Sequence, residues 1–369
     1  MENPLERSSR NVAFPRVSVV IPCRNERDSI EECLRSLLGQ EPPYGGFEVI
    51  VADGMSDDGT REILKRLGAE NTRLRIVDNP GRIVSTGLNQ AIKTATGTII
   101  IRIDAHTEYA ADYVRQCVDV LEETGADNVG GPWTPRATGY VGGAIAAAFQ
   151  SPFVAGGARG HDAEYSGPVD TVYLGCWRRE VFDRIGFFDE DLVRNQDDEF
   201  NLRLIRSGGR VWQSEHIRSW YKPRPSLRAL FRQYMQYGYW KVAVIQKHKI
   251  PASVRHVVPG IFVFFLIALP PLAFLWTIAG WLWLLMVAMY TVCNLAASIV
   301  TASRSGLHLL PFLPLAFGAY HLGYGYGFLI GIWDFMIRKR KSSPAFVTLT
   351  RTSTTGPSKE DHVSSGRPP

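Results

Sequence analysis

The first half of the chain alternates short apolar runs with longer stretches in which apolar residues recur at helical spacing. The apolar runs are rich in Val and Ile and predict buried strands at residues 17–22, 47–53, 74–78, 98–104 and 126–131. The stretches between them predict helices at residues 28–38, 60–67, 83–94 and 109–122. This alternation predicts an α/β domain with a mostly parallel sheet, whose ligands bind at the carboxyl ends of the strands.

The pattern changes in the last third of the chain, where charged residues become rare. Residues 257–303 contain no Asp, Glu, Lys or Arg, and residues 305–333 form a second uncharged stretch. As a helix, the first stretch would measure about 70 Å against about 30 Å for the apolar core of a bilayer, which is enough for two spans. We expect membrane segments at about 261–279, 281–302 and 307–333, with a turn near Gly280. The glycines of the third segment also allow a broken or interfacial helix.

The charges around these segments indicate how the chain is oriented. Residues 1–14 form a polar tail without the apolar core of a signal peptide, so we expect the domain at residues 15–225 to stay in the cytoplasm. Lys247, Lys249 and Arg255 precede the first span and fit the positive-inside rule. These features predict a multi-pass protein of the inner (plasma) membrane.

The end of the chain conflicts with a simple count of three spans. Residues 337–369 begin with a basic stretch, which favours the cytoplasm, whereas three spans would place it on the opposite side. Either the third segment does not cross or the rule fails here. The tail that follows, from residue 342, is rich in Ser, Thr, Gly and Pro and is predicted to be disordered.

Two further segments have more than one interpretation. Residues 226–256 mix aromatic and basic side chains, which favours an amphipathic helix at the membrane surface; an ordinary amphipathic helix on the domain is the alternative. Residues 153–167 are rich in glycine and predict either a mobile loop that orders over bound substrates or a plain connection.

Composition argues against several classes of function. The five cysteines show no CxxC pairing, which suits a reducing compartment and makes structural zinc an unfavoured interpretation. The net charge is +5, and the sequence has no interleaved basic and aromatic stretch of the kind that tracks a phosphate backbone, so we expect no nucleic-acid partner. No GxGxxG follows the first strand, which weakens a dinucleotide-dehydrogenase interpretation.

Polar residues gather where three of the predicted strands end. Arg24 and Glu26 follow the first strand, Asp53 ends the second, and Asp104 and His106 follow the fourth. Each group alone is compatible with a helix cap or a turn. Together they predict a ligand site, because the carboxyl ends of parallel strands meet at one edge of the sheet. An extended backbone also lets the side chains of Asp104 and His106 point the same way.

Five motifs in this order resemble the inverting family 2 glycosyltransferases of the GT-A fold. They are VSVVIPCRNE, VIVADGMSDDGT, GLNQAIKTATGTIIIRIDAH, GCWRREVFDRIGFFDEDL and QDDEFNLRLIRSG, and the resemblance covers about residues 15–245. Within the family, the sequence looks most like membrane-anchored exopolysaccharide glucosyltransferases of the succinoglycan type. The resemblance implies a GT-A, Rossmann-like and mostly parallel sheet flanked by helices, followed by C-terminal transmembrane helices.

The resemblance also implies where the donor binds. In this family the donor is a nucleotide sugar, most often a UDP-sugar, held across the ends of the first strands. By position, Pro22, Arg24 and Glu26 would line the uridine pocket, and Asp53 would meet the uracil or the ribose.

A metal site is implied as well. Asp104 and His106 occupy the family's Asp-x-Asp motif, which holds Mg²⁺ or Mn²⁺ against the diphosphate. His106 departs from that motif, and an imidazole suits Mn²⁺ better than Mg²⁺, which prefers oxygen ligands. A divalent cation is expected because the leaving UDP gathers negative charge on its diphosphate.

The last implied residue is the general base. Asp197 falls on the family's catalytic aspartate, which would take the proton of the acceptor hydroxyl, and Asp198 is its adjacent competitor. Acidic residues that complement a helix N-terminus are the structural alternative. The segment from Gln236 to Trp240 resembles the family's Gln-x-x-Arg-Trp motif without its arginine, which argues against a processive synthase.

These implications together describe an inverting transfer of a sugar from a UDP-sugar to a lipid-linked saccharide, at the cytoplasmic face of the membrane, in exopolysaccharide biosynthesis. Two alternatives stay open. One is a polyprenyl-phosphate glycosyltransferase, whose acceptor is a phosphate. The other is a membrane scaffold that binds a nucleotide sugar without turnover.

Overall fold

The computed structural model describes residues 17–43, 45–251, 253–340 and 342–347. The polar tail expected at residues 1–14 lies outside the described residues, as does the predicted disordered tail from residue 348 onward. The described chain consists of an α/β domain followed by the helices of the apolar C-terminal third.

Ten strands are present in the described chain. They are β1 (Val17–Cys23), β2 (Phe47–Asp53), β3 (Leu74–Asp78), β4 (Ile99–Arg102), β5 (Thr107–Tyr109), β6 (Asn128–Gly131), β7 (Gly167–Pro168), β8 (Tyr173–Arg178), β9 (Val211–Gln213) and β10 (Ser219–Tyr221). Eight of them form one sheet in the order β3-β2-β1-β4-β8-β6-β9-β7, while β5 and β10 pair separately.

The sheet is mostly parallel in the half that the sequence predicts best. Strands β3, β2, β1 and β4 are mutually parallel, whereas β8 runs antiparallel to both β4 and β6. The carboxyl ends of β1, β2 and β4 therefore meet at one edge, as the sequence predicts. Strand β4 ends at Arg102, two residues before the predicted boundary, so Asp104 and His106 lie in the turn between β4 and β5.

Thirteen α-helices accompany the strands in the described chain. They are α1 (Ile30–Leu38), α2 (Thr60–Glu70), α3 (Val84–Thr94), α4 (Tyr113–Thr124), α5 (Gly139–Gln150), α6 (Pro152–Ala155), α7 (Glu180–Ile185), α8 (Gln196–Arg206), α9 (Leu227–His248), α10 (Val258–Ala273), α11 (Thr277–Ser305), α12 (Leu313–Gly331) and α13 (Pro344–Val347).

Two apolar layers cover the faces of the sheet. Successive strand residues point to opposite faces, so Val19 and Ile21 of β1 pack with α1, α2 and α4, while Val20 packs with α3, α7 and α8. Strand β1 is therefore apolar on both faces, as expected for a central parallel strand. This packing fixes the strand ends that carry the predicted site.

Two helical segments of the described chain are long and apolar enough to cross a membrane: α10 together with the 3-10 turn before it (Val254–Ala273), and α11. Their large apolar side chains, such as Phe264 and Trp281, are largely exposed. The turn between them lies at residues 274–276, and Gly280, expected near the turn, falls inside α11. Pro270 and Pro271 lack backbone donors, and α10 ends within one turn after them.

The third uncharged stretch forms α12, which packs along α9. Glycines at every fourth position of α12 bring the two backbones together: a Cβ added to Gly327 would lie 1.8 Å from the carbonyl oxygen of Met235, and one added to Gly323 would lie 2.8 Å from that of Phe231. Trp240 and Tyr239 of α9 are buried. The predicted amphipathic helix at residues 226–256 is thus α9 with a short 3-10 turn (Val254–His256), and one of its faces is covered by protein.

Two segments are more ordered than their compositions suggest. In the glycine-rich segment 153–167, the His161 ring packs 4.2 Å from that of Phe149, and its Nδ1 lies 2.8 Å from the Phe149 carbonyl oxygen. Of the tail predicted to be disordered, residues 342–347 pack on α9: Phe346 stacks on Tyr239 at 3.9 Å, and its carbonyl accepts from Trp240 Nε1 at 3.1 Å. Aromatic contacts hold both segments against their neighbours, and those of residues 342–347 come from α9, about a hundred residues earlier in the chain.

Candidate active site

One cavity of about 860 Å³ extends from the ends of β1 and β4 to the apolar C-terminal helices. Its wall includes the turn after β4, the start of α8, the turn before α10, and residues of α9, α10, α11 and α12. This volume lies near the upper end of the range of about 300–1,000 Å³ that is usual for ligand sites. The cavity thus joins the edge of the sheet to the apolar C-terminal helices.

Five of the residues predicted for the donor and metal sites line this cavity together. They are Pro22, Arg24, Glu26, Asp104 and His106. They come from the ends of β1 and β4, which are neighbours in the sheet. Parallel pairing of these two strands, together with the turn at residue 104, places their polar side chains at the same edge.

Asp53 is placed differently from the other predicted donor residues. It is fully buried and is not among the residues that line the cavity. Its carboxylate accepts from the backbone N–H of Ser56 and lies 3.3 Å from Arg61 Nε. In this conformation Asp53 holds the turn after β2, and its contact with a nucleotide stays a prediction.

Asp104 and His106 each have a partner within the site. Arg102 Nε donates to Asp104 Oδ1 at 3.1 Å, and Arg102 Nη2 lies 3.1 Å from the same oxygen. His106 Nδ1 lies 3.1 Å from Glu26 Oε1. Tyr109 further fixes the turn, because its hydroxyl donates to the Asp104 carbonyl oxygen at 2.9 Å.

The protein ligands at this site, Asp104 and His106, suit a cation that takes most of its ligands from the substrate. Within the described residues, no group of three His, Cys, Asp or Glu side chains could hold a metal ion. The cavity nevertheless presents the Asp104 carboxylate and the His106 imidazole at one edge. A divalent cation in this setting would need oxygens from a diphosphate and water, as is common for Mg²⁺ bound through one or two carboxylates.

Asp197 and Asp198 lie in the first turn of α8 and both line the cavity. Asp197 Oδ1 accepts from the backbone N–H of Asp198 at 2.9 Å. Asp198 Oδ2 instead accepts from Lys241 Nζ of α9 at 2.6 Å, and the lysine side chain is almost completely buried. The two neighbouring carboxylates therefore have different environments.

The electrostatic environment separates the two carboxyl groups further. Burial, and then the charge of Asp198, raise the pKa of Asp197, although the Arg102 guanidinium opposes this shift. Burial acts in the same direction on Asp198, but Lys241, His256 and Arg255 together outweigh it, so the pKa of Asp198 is lowered. Asp197 is thereby the stronger base of the two, and Asp198 is held in an ion pair.

The start of α8 is fixed to α9 by a buried acidic residue. Glu199 is fully buried, and its carboxylate lies 2.9 Å from Lys247 Nζ and 3.0 Å from His248 Nε2 of α9. Arg203, one turn further along α8, also pairs with Glu199 at 2.9 Å. These contacts determine where Asp197 faces the cavity.

Several cavity residues were not predicted from the sequence. Arg102 interrupts the apolar run of β4, and a charged residue inside a buried strand is a signal that could have identified it. The sequence indicates Arg255 only as part of the charge bias before the first span, and His256 follows it directly. Lys241 and Tyr324 carry no local signal, because they reach the cavity only through the packing of α9 and α12.

Comparisons with known proteins agree with this arrangement. The family model described as "Glycosyl transferase family 2" matches residues 18–186. The succinoglycan biosynthesis protein ExoA of Rhizobium meliloti (strain 1021) is 32% identical over 332 residues, which cover 87% of this chain and 96% of that protein.

Two further similarities extend beyond the first domain. A dolichyl N-acetyl-alpha-D-glucosaminyl phosphate 3-beta-D-2,3-diacetamido-2,3-dideoxy-beta-D-glucuronosyltransferase of Methanococcus voltae is 26% identical over 324 residues, covering 86% of this chain and 97% of that protein. The solved structure of the mannosyltransferase PcManGT from Pyrobaculum calidifontis, in complex with GDP-Man and Mn²⁺, is similar with a TM-score of 0.57 and 21% identity. It covers 87% of this chain and 88% of that one, which establishes the shared GT-A fold.

Proposed function

We propose a reaction for this chain, which belongs to glycosyl transferase family 2 and is a glycosyltransferase of polysaccharide or glycolipid biosynthesis. It transfers a sugar from a UDP-sugar, with inversion, to a lipid-linked saccharide at the cytoplasmic face of the membrane. One observation carries the proposal: a single cavity joins the edge that holds Arg24 and Asp104, the carboxylate of Asp197 and the two apolar helices α10 and α11.

In the proposed reaction, different residues of the cavity bind the donor and accept the proton of the acceptor. The nucleotide lies against Pro22, Arg24 and Glu26 at the end of β1, with its diphosphate towards Asp104. The acceptor hydroxyl approaches C1 of the sugar from the opposite face and gives its proton to Asp197. A bond forms between the acceptor oxygen and C1, and the bond from C1 to the UDP oxygen breaks, so the product is inverted. The raised pKa of Asp197 suits it to accept this proton.

A divalent cation, Mn²⁺ or Mg²⁺ held by Asp104 and His106, would neutralise the charge that gathers on the leaving diphosphate. Arg102 supports the same end of the reaction from the protein side, because it is buried, pairs with Asp104 and is also influenced by the charge of Asp197. Its fixed position orients Asp104 and places a positive charge near the developing anion.

The acceptor is assigned from the position of the cavity and from relatives. Val258 and Phe262 of α10 line the cavity, so an acceptor held in a membrane around α10 would lie beside it. The name of the M. voltae relative describes transfer to a dolichyl-linked sugar phosphate, and ExoA is named for succinoglycan biosynthesis. A soluble acceptor would need no site beside apolar helices.

The experiment is a transfer assay with the purified full-length protein in lipid nanodiscs. Radiolabelled UDP-glucose, UDP-galactose and UDP-N-acetylglucosamine are offered with extracted lipid-linked saccharides, and GDP-mannose serves as the comparison donor. We expect transfer from a UDP-sugar, with loss of activity in EDTA, and recovery with Mn²⁺ at least as complete as with Mg²⁺. Transfer from GDP-mannose alone would refute the donor assignment, and full activity in EDTA would refute the metal site.

A further inference from the structure

The end of the cavity nearest the membrane helices contains a second group of polar side chains, which we call the inner cluster. It consists of Lys241 of α9, Arg255 and His256 of the turn before α10, and Tyr324 of α12. Lys241 Nζ of this cluster lies 2.6 Å from Asp198 Oδ2, whereas Arg102 pairs with Asp104 at the donor edge. The inner cluster is thus joined to the aspartate pair through Asp198.

The charge of the cavity exceeds what its carboxylates balance. Eight Lys and Arg side chains line the cavity, against five Asp and Glu side chains. Several of these cations lie at the donor edge, where a nucleotide diphosphate would use them. Lys241 and Arg255 do not: they pair with Asp198 and Asp170 at the inner end. An ammonium has three donors and a guanidinium five, so one carboxylate uses only part of this capacity.

Two polar atoms of the inner cluster are buried without a hydrogen-bond partner among the described residues. They are His256 Nδ1 and the hydroxyl oxygen of Tyr324. A buried polar atom left without a partner costs free energy, and native proteins rarely keep one without a reason. Both atoms can donate to an anionic oxygen, which would satisfy them together.

Apolar surface continues directly from the inner cluster. Val258, Pro259 and Phe262 of α10 line the same cavity, and Tyr290 of α11 faces them. On the outer surface of α10, Ile261 and Phe264 are exposed, and α10 is one of the two helices long enough to span a membrane. A ligand that fits this end therefore combines a phosphate with an apolar chain.

We propose that the inner cluster binds the phosphate of a membrane-borne acceptor, with the apolar chain lying along α10 and the saccharide directed towards Asp197. This inference rests on the proposed transfer to a lipid-linked acceptor and names the site that holds the acceptor's charged group. Lys241 and Arg255 neutralise the phosphate, and His256 and Tyr324 donate to its oxygens. The donor diphosphate and the acceptor phosphate thereby occupy separate ends of one cavity.

The test measures binding of farnesyl diphosphate to the full-length protein in lipid nanodiscs. Saturating UDP and Mn²⁺ are included so that the donor edge is filled, and UDP binding is measured separately in every variant. Farnesol provides the same chain without the phosphate, and inorganic diphosphate provides the anion without the chain. We expect farnesyl diphosphate to bind at least tenfold more tightly than either.

Two variants test whether the ligand binds at the inner cluster, and each has a matched control. Arg255→Gln removes the charge but keeps a donor for Asp170, and Tyr324→Phe removes only the unpartnered hydroxyl. We expect the dissociation constant for farnesyl diphosphate to rise about tenfold and about threefold respectively, with UDP binding unchanged. The controls are Arg184→Gln, which breaks a comparable ion pair with Asp127, and Tyr326→Phe, an exposed tyrosine of the same helix; both should bind like the original protein.

Each other outcome overturns a specific part of the inference. Equal binding of farnesol would show that no phosphate is recognised, and equal binding of inorganic diphosphate would replace the lipid with a free anion. Competition between UDP and farnesyl diphosphate, or unchanged affinity in both variants, would place the lipid elsewhere. The proposed function can be contradicted independently of this inference. If the protein binds farnesyl diphosphate as predicted but transfers no sugar from any UDP-sugar, the phosphate site is supported and the proposed reaction is wrong.

Discussion

Asp197 and Asp198 are adjacent in sequence, yet their side chains have opposite roles in the electrostatics of the site. Asp198 is paired with the buried ammonium of Lys241 at 2.6 Å, which stabilises its ionised form. Among the described residues no cation pairs with Asp197 at such a distance, and burial followed by the charge of Asp198 raises its pKa. The difference involves Lys241 of α9, so the acidic sequence of α8 alone does not distinguish the two aspartates.

The first prediction is that Asp197→Asn abolishes the chemistry but not donor binding. The amide keeps the shape of the side chain and cannot accept the acceptor's proton, and loss of a general base typically costs about 10² to 10⁴ in rate. We expect kcat to fall by that factor while the dissociation constant of UDP, measured by calorimetry, changes less than about threefold. If kcat falls less in Asp197→Asn than in Asp198→Asn, the general base is Asp198 instead.

The second prediction concerns the pH dependence of Asp198→Asn. The proposed reaction uses Asp197 as an ionised base, so kcat/KM should decline as the pH falls through the raised pKa of that group. Removing the charge of Asp198 removes one cause of the raised pKa, and it also leaves Lys241 without its partner, which lowers the pKa further. Both effects have the same sign. We expect the acidic limb of the pH–rate profile to move to lower pH, with the maximal rate reduced less than about tenfold.

A matched variant controls this measurement. Glu190→Gln removes an acidic residue of the same domain that pairs with Asn89 and does not line the cavity, so its acidic limb should coincide with that of the original protein. A shift of the Asp198→Asn limb to higher pH, or no shift, would show that Asp197 does not set this limb.

The sequence predicts the positions of site residues that directly follow regular strands. It does not predict the positions of residues that reach the site through packing between helices distant in sequence. Arg24 and Asp104 could be placed at one edge because alternation of strands and helices fixes the direction of parallel strands. The inward position of Asp53 depends on Arg61 in the next helix. The positions of Lys241 and Tyr324 depend on how two helices meet outside the sheet, which no local pattern encodes.

Among the helices, the glycines of α12 give the clearest relation between sequence and packing. Gly323, Gly327 and Gly331 lie on one face of α12, and an added Cβ at each would come within 3 Å of a carbonyl oxygen of α9. Spacing of small residues at every fourth position is typical of closely packed helices in membrane proteins. The sequence allows α12 to be either a membrane span or a broken or interfacial helix. These glycines let it pack closely on α9, and that contact could not be predicted without the positions of both helices.

The third prediction follows from this contact. In Gly327→Ala the added methyl group would lie 1.8 Å from the Met235 carbonyl oxygen, so α9 and α12 must separate. Overpacking of this kind costs about 1–3 kcal/mol, and the separation also displaces Lys241 and Tyr324. We expect a lower Tm in detergent and lower transfer activity. Gly318→Ala, on the same helix with no atom within 4 Å of the added Cβ, should keep or raise the Tm because alanine favours helix; equal losses in both variants would contradict the packing argument.

The whole molecule combines a catalytic domain with a helical hairpin whose apolar side chains face outward. Two helical segments of the described chain meet the length and hydropathy of a span, and if both cross a membrane the hairpin returns to the side on which it began. Helix α12 packs on α9 beside the catalytic domain. A two-span arrangement would place residues 338–340 on the same side as Lys247, in agreement with the positive-inside rule.

The fourth prediction tests this arrangement by labelling single cysteines in membrane vesicles with a membrane-impermeant maleimide. The exposed native cysteine is first removed by Cys293→Ser; the other four are buried. Lys65→Cys then marks the catalytic domain, Leu275→Cys marks the turn between α10 and α11, and Arg340→Cys marks the segment after α12. If two helices span and the catalytic domain is cytoplasmic, the positions at 65 and 340 are labelled in inside-out vesicles and the position at 275 only in right-side-out vesicles.

The three positions separate the possible topologies because each crossing reverses the side that is labelled. A third span through α12 would move Arg340→Cys to the group labelled in right-side-out vesicles while leaving Lys65→Cys unchanged. A hairpin that lies on the surface without crossing would leave Leu275→Cys labelled together with Lys65→Cys. Labelling of Lys65→Cys in right-side-out vesicles would place the catalytic domain outside the cytoplasm, where the proposed UDP-sugar donor would have to be supplied from another compartment. The proposed reaction requires the first of these outcomes, because a cytoplasmic UDP-sugar and a membrane-borne acceptor must both reach the cavity that Asp197 lines.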